Sequence, residues 1–202
     1  MKKFSLICLF LVILLAGCTK KEQPVPKVTP TLDASESPSQ TPVPTSTPTP
    51  TPSPVLLGSA QTGILDFQDS RIHNIELSIG QINGYTLAPG QSFSFNRVVG
   101  PRTDDRGYQK ATVLMHGEKT QDYGGGVCQV SSTLFQAARA AGLTVTQRHS
   151  HQKDVGYAHP GDDAAVDYGN KDMCFTNNTG VNIKIEATVG GGVVRAEIYQ
   201  LP

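Results

Sequence analysis

The chain has 202 residues, equal numbers of basic and acidic side chains and a formal net charge of +0. That balance speaks against nucleic acid as a partner, because phosphate binding leaves a basic excess. Hydrophobic residues make up 38%, which fills a globular core only if part of the chain stands apart from it.

The N-terminus is such a part. "MKKFSLICLFLVILLAGC" opens with two lysines, runs apolar from Phe4 to Ala16 and ends in Gly17-Cys18. A basic start before a short apolar middle reads as a secretory signal, too short for a comfortable membrane span. Leu15-Ala16-Gly17-Cys18 resembles a bacterial lipobox. The resemblance implies a lipoprotein signal peptide over 1–17, cut before Cys18, with Cys18 then acylated. A plain signal peptide or an uncleaved anchor is the alternative. Acyl chains contribute about 0.8 kcal/mol per buried methylene, so the protein is expected outside the cytoplasm, anchored to the cell membrane by lipid on Cys18. Residues 18–57 follow as a disordered tether. "TPVPTSTPTPTPSP" is Thr, Pro and Ser with hardly an apolar side chain, and proline biases it to extended polyproline II.

Residues 58–202 are the folded part, the size of one ordinary domain. Ile72, Ile75, Ile79 and Ile82 recur at steps of three and four and predict a helix from Ser70, ended by Gly84. "TLAPGQSFSFNRVVG" predicts extended chain around a Pro89-Gly90 turn, with Phe93 and Phe95 on one face. "YQKATVLMHGEKTQDYGGG" predicts short strands joined near His116-Gly117. From Cys128 to Ala141 the apolar spacing and the alanines predict a buried helix, with Gly142 as its C-terminal glycine. "LTVTQRH", "AAVDYG", "DMCFTNNT", "VNIKIEATV" and "VVRAEIYQ" predict strands. The order gives an α+β fold: a single domain with a central cysteine-bearing helix on a mostly antiparallel sheet.

That cysteine is the chemical focus. In the first turn of a helix, Cys128 faces the positive end of the dipole and unpaired amides, which favour the thiolate. Gly124, Gly125 and Gly126 leave little bulk before it, and nearby amides are placed to hold an oxyanion. A nucleophile needs a base, and "RHSHQKDVGYAHPGDDAAVDYG" supplies His149, His151 and His159, then Asp162, Asp163 and Asp167. His149 and His151 are two apart and share a face if the strand continues through them. A carboxylate behind an imidazole fixes its tautomer. Each of these residues has a plainer role open to it: a small helix-start residue, a tight turn, a polar surface histidine. Two rival uses of the sulfur are a disulfide between Cys128 and Cys174 and a zinc site of Cys128, His149 and His151, for which no standard ligand spacing is present.

Taken together, "SFSFNRVVGPRTDDRGYQKA", "GGGVCQVSSTLFQAARAAGL", "RHSHQKDVGYAHPGDDAAVDYG" and "DMCFTNNTGVNIKI" resemble the VanW-like family, from about Arg71 to Tyr199. The resemblance covers Gly125, Gly126, Cys128, Gln129, Ser131, Thr133 and Leu134, then His151, Tyr157, Gly161, Asp163 and Ala164, then Asp172, Phe175 and Asn177. It implies a bacterial cell-envelope setting. Ser150 stands where the family usually has Pro, and Asp162 where it often has Arg or Lys; Cys174 falls at an open position. A looser resemblance of the cysteine helix is to transglutaminase-like and papain-like folds.

Two functions are expected to compete. In one, Cys128 attacks an amide or ester carbonyl of cell-wall material, with His151 as base and then acid (His149 being the alternative) and Asp163 orienting it. Gly125, Gly126, Gln129, Ser131 and Tyr157 then surround the oxyanion and substrate cleft, and no cofactor or metal is required. In the other, the same cleft is a non-catalytic module that binds peptidoglycan or a partner protein.

Overall fold

The computed structural model describes residues 52–115 and 117–202. The signal peptide, Cys18 and the tether up to residue 51 lie outside the described residues. Strand β1 (Val55–Gly63) comes first, opening inside the span read as tether. Helix α1 (Asp69–Ile82) follows, with Ile75, Ile79 and Ile82 buried as their spacing requires. Next come β2 (Thr86–Leu87) and β3 (Ser92–Ser94), a short helix α2 (Phe95–Val99), and a 3-10 turn at Asp104–Arg106. The remainder is β4 (Lys110–Met115), β5 (Glu118–Tyr123), α3 (Val127–Ala140), β6 (Thr144–Gln147), β7 (Cys174–Thr176), β8 (Ile183–Gly190) and β9 (Val193–Gln200). The described residues form a single α+β domain with antiparallel sheets.

The main sheet has the order β1-β9-β8-β2, every pair antiparallel. Its strands alternate, so that Ile183, Ile185 and Ala187 of β8 and Val194, Ala196 and Ile198 of β9 point inward and are buried. Each such aliphatic side chain contributes on the order of 1.5–3 kcal/mol by leaving water. Helix α3 packs across β1 and β9, and α1 against β8. A buried bond between the hydroxyls of Thr62 and Thr133, 2.8 Å, ties β1 to α3. A second sheet, β3-β7-β6, pairs Phe93 with Phe175 in register, their rings stacked at 4.9 Å.

Two expected strands are replaced. Phe95 begins a helix instead of continuing β3. The Ser94 hydroxyl accepts from the Arg97 amide at 3.1 Å and the Asp172 carboxylate from the Asn96 amide at 2.9 Å, capping that turn. Nor is "AAVDYG" a strand: between Gln147 and Cys174 the chain makes only an isolated bridge, Asp167 to Lys171. Its backbone is satisfied by α3 side chains and neighbouring loop, as described below. At the far end of α3, Leu143 donates to Ala138 and Gly142 to Arg139, both at 3.0 Å, the Schellman closure that Gly142 was expected to make.

Candidate active site

Cys128 is the second residue of α3, in the first turn, where amides have no intrahelical acceptor. The glycines before it do something other than admit a substrate. A Cβ on Gly125 would fall 2.7 Å from the Thr112 carbonyl oxygen, and one on Gly126, at φ +106, 2.9 Å from Ile75. Their lack of side chains brings β4 and α1 of the same chain against the start of α3. Gln129 is equally committed: its amide donates to Gly63 O at 2.9 Å and Thr62 Oγ1 at 3.1 Å and accepts from Arg71 at 3.2 Å. The expectation that Gly125, Gly126, Gln129 and Ser131 border a substrate cleft is therefore corrected. All four are buried, and they hold the helix in place. The Val127 amide is likewise taken, by Gly124 O at 3.1 Å.

Across from this turn runs the loop that carries the histidines and aspartates. Ser131 donates to Ala164 O at 2.6 Å, and the Ala164 amide donates to Ser132 Oγ at 2.9 Å. Ser132 in turn donates to the Cys128 carbonyl at 2.7 Å. These bonds lay residues 163–166 along α3, so the Cys128 thiol donates to Val166 O at 3.4 Å. The same docking buries Asp163. One carboxylate oxygen accepts from Arg148 Nη2 at 2.6 Å; the other accepts from both the amide and Nδ1 of His151, each at 2.6 Å. A carboxylate only accepts, so Nδ1 carries the proton and Nε2 is the nitrogen left to serve the sulfur. Arg148 is also held over the Phe135 ring at 5.4 Å. Tyr157 meets the His151 ring edge-on, centroids 6.4 Å apart.

Electrostatics follow from this crowding. Cys128 keeps some exposed surface, yet its sulfur is enclosed enough that burial opposes ionisation. The neighbouring His151 first, then Val166 and the charge of Arg102, outweigh burial and hold the thiol below its ordinary range. Burial also works against the imidazolium, but Cys128 and then Asp163 lift His151 above the usual histidine value. Asp163 is held low: burial would raise it, and the bonds from the His151 amide and ring and the charges of His151 and Arg148 overcome that. Burial drives Tyr157 upward, so it stays neutral. The other thiol moves the opposite way, since burial and then Asp172 push Cys174 up to about 11.

The structure thus brings Cys128, His151, Asp163 and Tyr157 together. His149 turns away: its ring lies 3.1 Å from the Gln147 side chain, because β6 ends at Gln147 and the strand geometry that would align the two histidines ends with it. Cys128 and Cys174 are both free thiols, which corrects the disulfide alternative. Among the described residues no three His, Cys, Asp or Glu side chains gather as a metal set. Asp162 pairs with Arg139 at 2.9 Å, leaving Asp163 to Arg148 and His151. A cavity of about 300 Å³ beside the imidazole is lined by Arg148, His151, Lys153, His159 and Asp163 among others, but not by Cys128. Sequence reasoning missed Arg148, Arg102 and Ser132. Only Arg148 carried a signal, its place beside the histidines.

Among the described residues no helix is long and apolar enough to cross a membrane. Comparison with known proteins finds no matching solved structure, so the looser likeness to transglutaminase-like and papain-like folds gains no support. The chain is 43% identical over 143 residues to the Uncharacterized protein YoaR of Bacillus subtilis, covering 71% of this chain and 47% of that one. It is 28% identical over 139 residues to the Vancomycin B-type resistance protein VanW of Enterococcus faecalis, covering 66% and 50%. It spans about half the length of these curated relatives. Residues 70–199 match the family described as VanW like protein, and the chain belongs to that family.

Proposed function

We propose that the protein is a lipid-anchored, extracytoplasmic enzyme that uses Cys128, His151 and Asp163 to open an amide bond of cell-wall peptide. The observation that carries the reading is the bond of His151 Nδ1 to Asp163 at 2.6 Å beside a thiol held below its ordinary range. The Cys128 sulfur, its proton passed to His151 Nε2, attacks the carbonyl carbon, forming a C–S bond and an oxyanion beside the Cys128 amide. Collapse breaks the C–N bond while His151 Nε2 gives its proton to the leaving nitrogen. Neutral His151 then takes a proton from water, which attacks the thioester, releases a carboxylic acid and returns the thiolate. An amine in place of water gives transpeptidation. The resistance protein among its relatives supports a cell-wall setting, and the lipobox-like Leu15–Cys18 supports the anchor.

The experiment compares the protein with Cys128→Ala on peptidoglycan fragments, with products resolved by mass spectrometry. New termini or new cross-links are expected with the wild type and are absent with the variant. A non-catalytic module that binds peptidoglycan or a partner is favoured by one feature, the placing of the thiol outside the cavity beside His151. On that reading no product forms and the variant binds the fragments as tightly as the wild type.

A further inference from the structure

We infer that Arg102 is a positioning residue for Cys128, a fixed guanidinium whose lasting charge steadies negative charge on the sulfur. The inference rests on the proposed Cys128 site. Arg102 lies in a loop whose sequence, "GPRTDDRG", looks solvated, and its placement comes from two independent contacts. Its stem lies on the turn that launches α3: a Cβ on Gly124 would fall 2.7 Å from Arg102 Cβ and 2.8 Å from Cγ. Its Nη1 donates to Asn96 Oδ1 and to Gly100 O, both at 2.8 Å. Asn96 is itself anchored, donating to Lys171 O at 2.8 Å and to Asp167 O at 3.2 Å. The residue before Asp167 is Val166, whose carbonyl accepts the Cys128 thiol. Guanidinium and sulfur are therefore tied to adjoining pieces of chain: the Arg102 stem packs on Gly124, four residues before Cys128, and its head reaches Asp167 through Asn96, next to the Val166 carbonyl that accepts the thiol.

The groups that bear on the sulfur are His151, Arg102 and Tyr157. Behind them stand Asp163 on His151, Arg71 toward Tyr157, and Asp167 and Asp172 on Arg102. His151 and Arg102 differ in one decisive way. In the proposed reaction His151 surrenders its proton to the leaving nitrogen and becomes neutral. A guanidinium does not deprotonate in proteins, so Arg102 keeps its charge through every step, including the thioester stage at which His151 is neutral. Burial lowers the Arg102 value, and the charge of Cys128 is the largest influence opposing that, in keeping with mutual attraction.

The test uses the full chain and reads iodoacetamide labelling of the Cys128 peptide by mass spectrometry across pH, so that Cys174 is followed separately. In Arg102→Met the midpoint of labelling rises and the rate at about pH 6 falls roughly three- to tenfold, the effect of one nearby charge at intermediate dielectric. Arg102→Lys, which keeps the charge, recovers most of that rate. A folded R102M with the wild-type midpoint overturns the inference. If R102M does not fold, Arg102→Gln, which keeps a donor toward Asn96 and Gly100, is read by the same two outcomes. Turnover of peptidoglycan with an unshifted midpoint removes Arg102 from the site and leaves the reaction standing. A shifted midpoint without turnover does the reverse.

Discussion

Two regions meet on opposite sides of α3, and they are built differently. Toward β1 and β9 the contacts are apolar and numerous, with Leu134, Ile185 and Ile198 fully buried. Each atom pair there contributes little and neighbours share the load. Toward residues 148–166 the contacts are a few directed bonds, most of them ending on Asp163, Ser131 or Ser132. The sheet decides where α3 stands; the polar seam decides what Cys128 can do. Stability and reactivity should therefore respond to different substitutions.

Ile198→Ala gives the largest change expected and tests the first half of that contrast. A fully buried β9 side chain is lost, costing about 3 kcal/mol in urea unfolding, while the labelling midpoint of Cys128 stays where it was. A midpoint that moves with stability would erase the distinction between the regions. Asp163→Asn tests the other half. Three donors lose their carboxylate, so unfolding free energy falls by about 2 kcal/mol and the Cys128 midpoint rises because His151 loses its partner. The effect has a pH window. Asp163 is held low, so its contribution is full above the unfolded carboxylate value, about 3.9, and is lost as pH falls through the folded value. His151 is held high, so its contribution is full below the unfolded imidazole value, about 6.5, and is lost as pH rises through the folded value. Wild type and variant should differ most between about pH 4 and 6.5; a difference constant from pH 3 to 9 would remove charge from the account. The smallest effect belongs to Asp162→Asn. Its pair with Arg139 is part-exposed, so unfolding shifts by about 0.5 kcal/mol or less and Cys128 labelling does not change.

Much of this was readable in the sequence where local pattern and chemistry coincide. The isoleucine stripe of α1 and the alanine-rich α3 with its closing glycine announce themselves by residue type and spacing, and Cys128 stands out at the helix start, whereas three histidines and three aspartates were open as its neighbours. What stayed hidden depends on which distant backbone arrives. The glycines at 124–126 promise close approach, but nothing local says that β4, α1 and Arg102 are what approach. β1 reads "VLLGSAQTG", with little apolar alternation and a proline-rich run before it. Its strand character comes from pairing with β9, a partner at the other end of the chain. "AAVDYG" has strand composition, yet the hydroxyls of Ser131 and Ser132 compete for its backbone and win. Those serines look like ordinary helix-surface residues until the loop is laid against them.

Holding residues 163–166 by serine hydroxyls, not by a strand ladder, has a kinetic corollary. The Ala164 amide bonds a side chain and the Ala165 amide bonds the His149 carbonyl at 2.7 Å, so the loop can lift away without breaking a rung of any described sheet. Its amides should exchange with deuterium through a local opening cheaper than global unfolding, while those of β8 and β9 wait for the whole domain. Each such opening takes the Val166 carbonyl away from the Cys128 thiol and Asp163 away from His151.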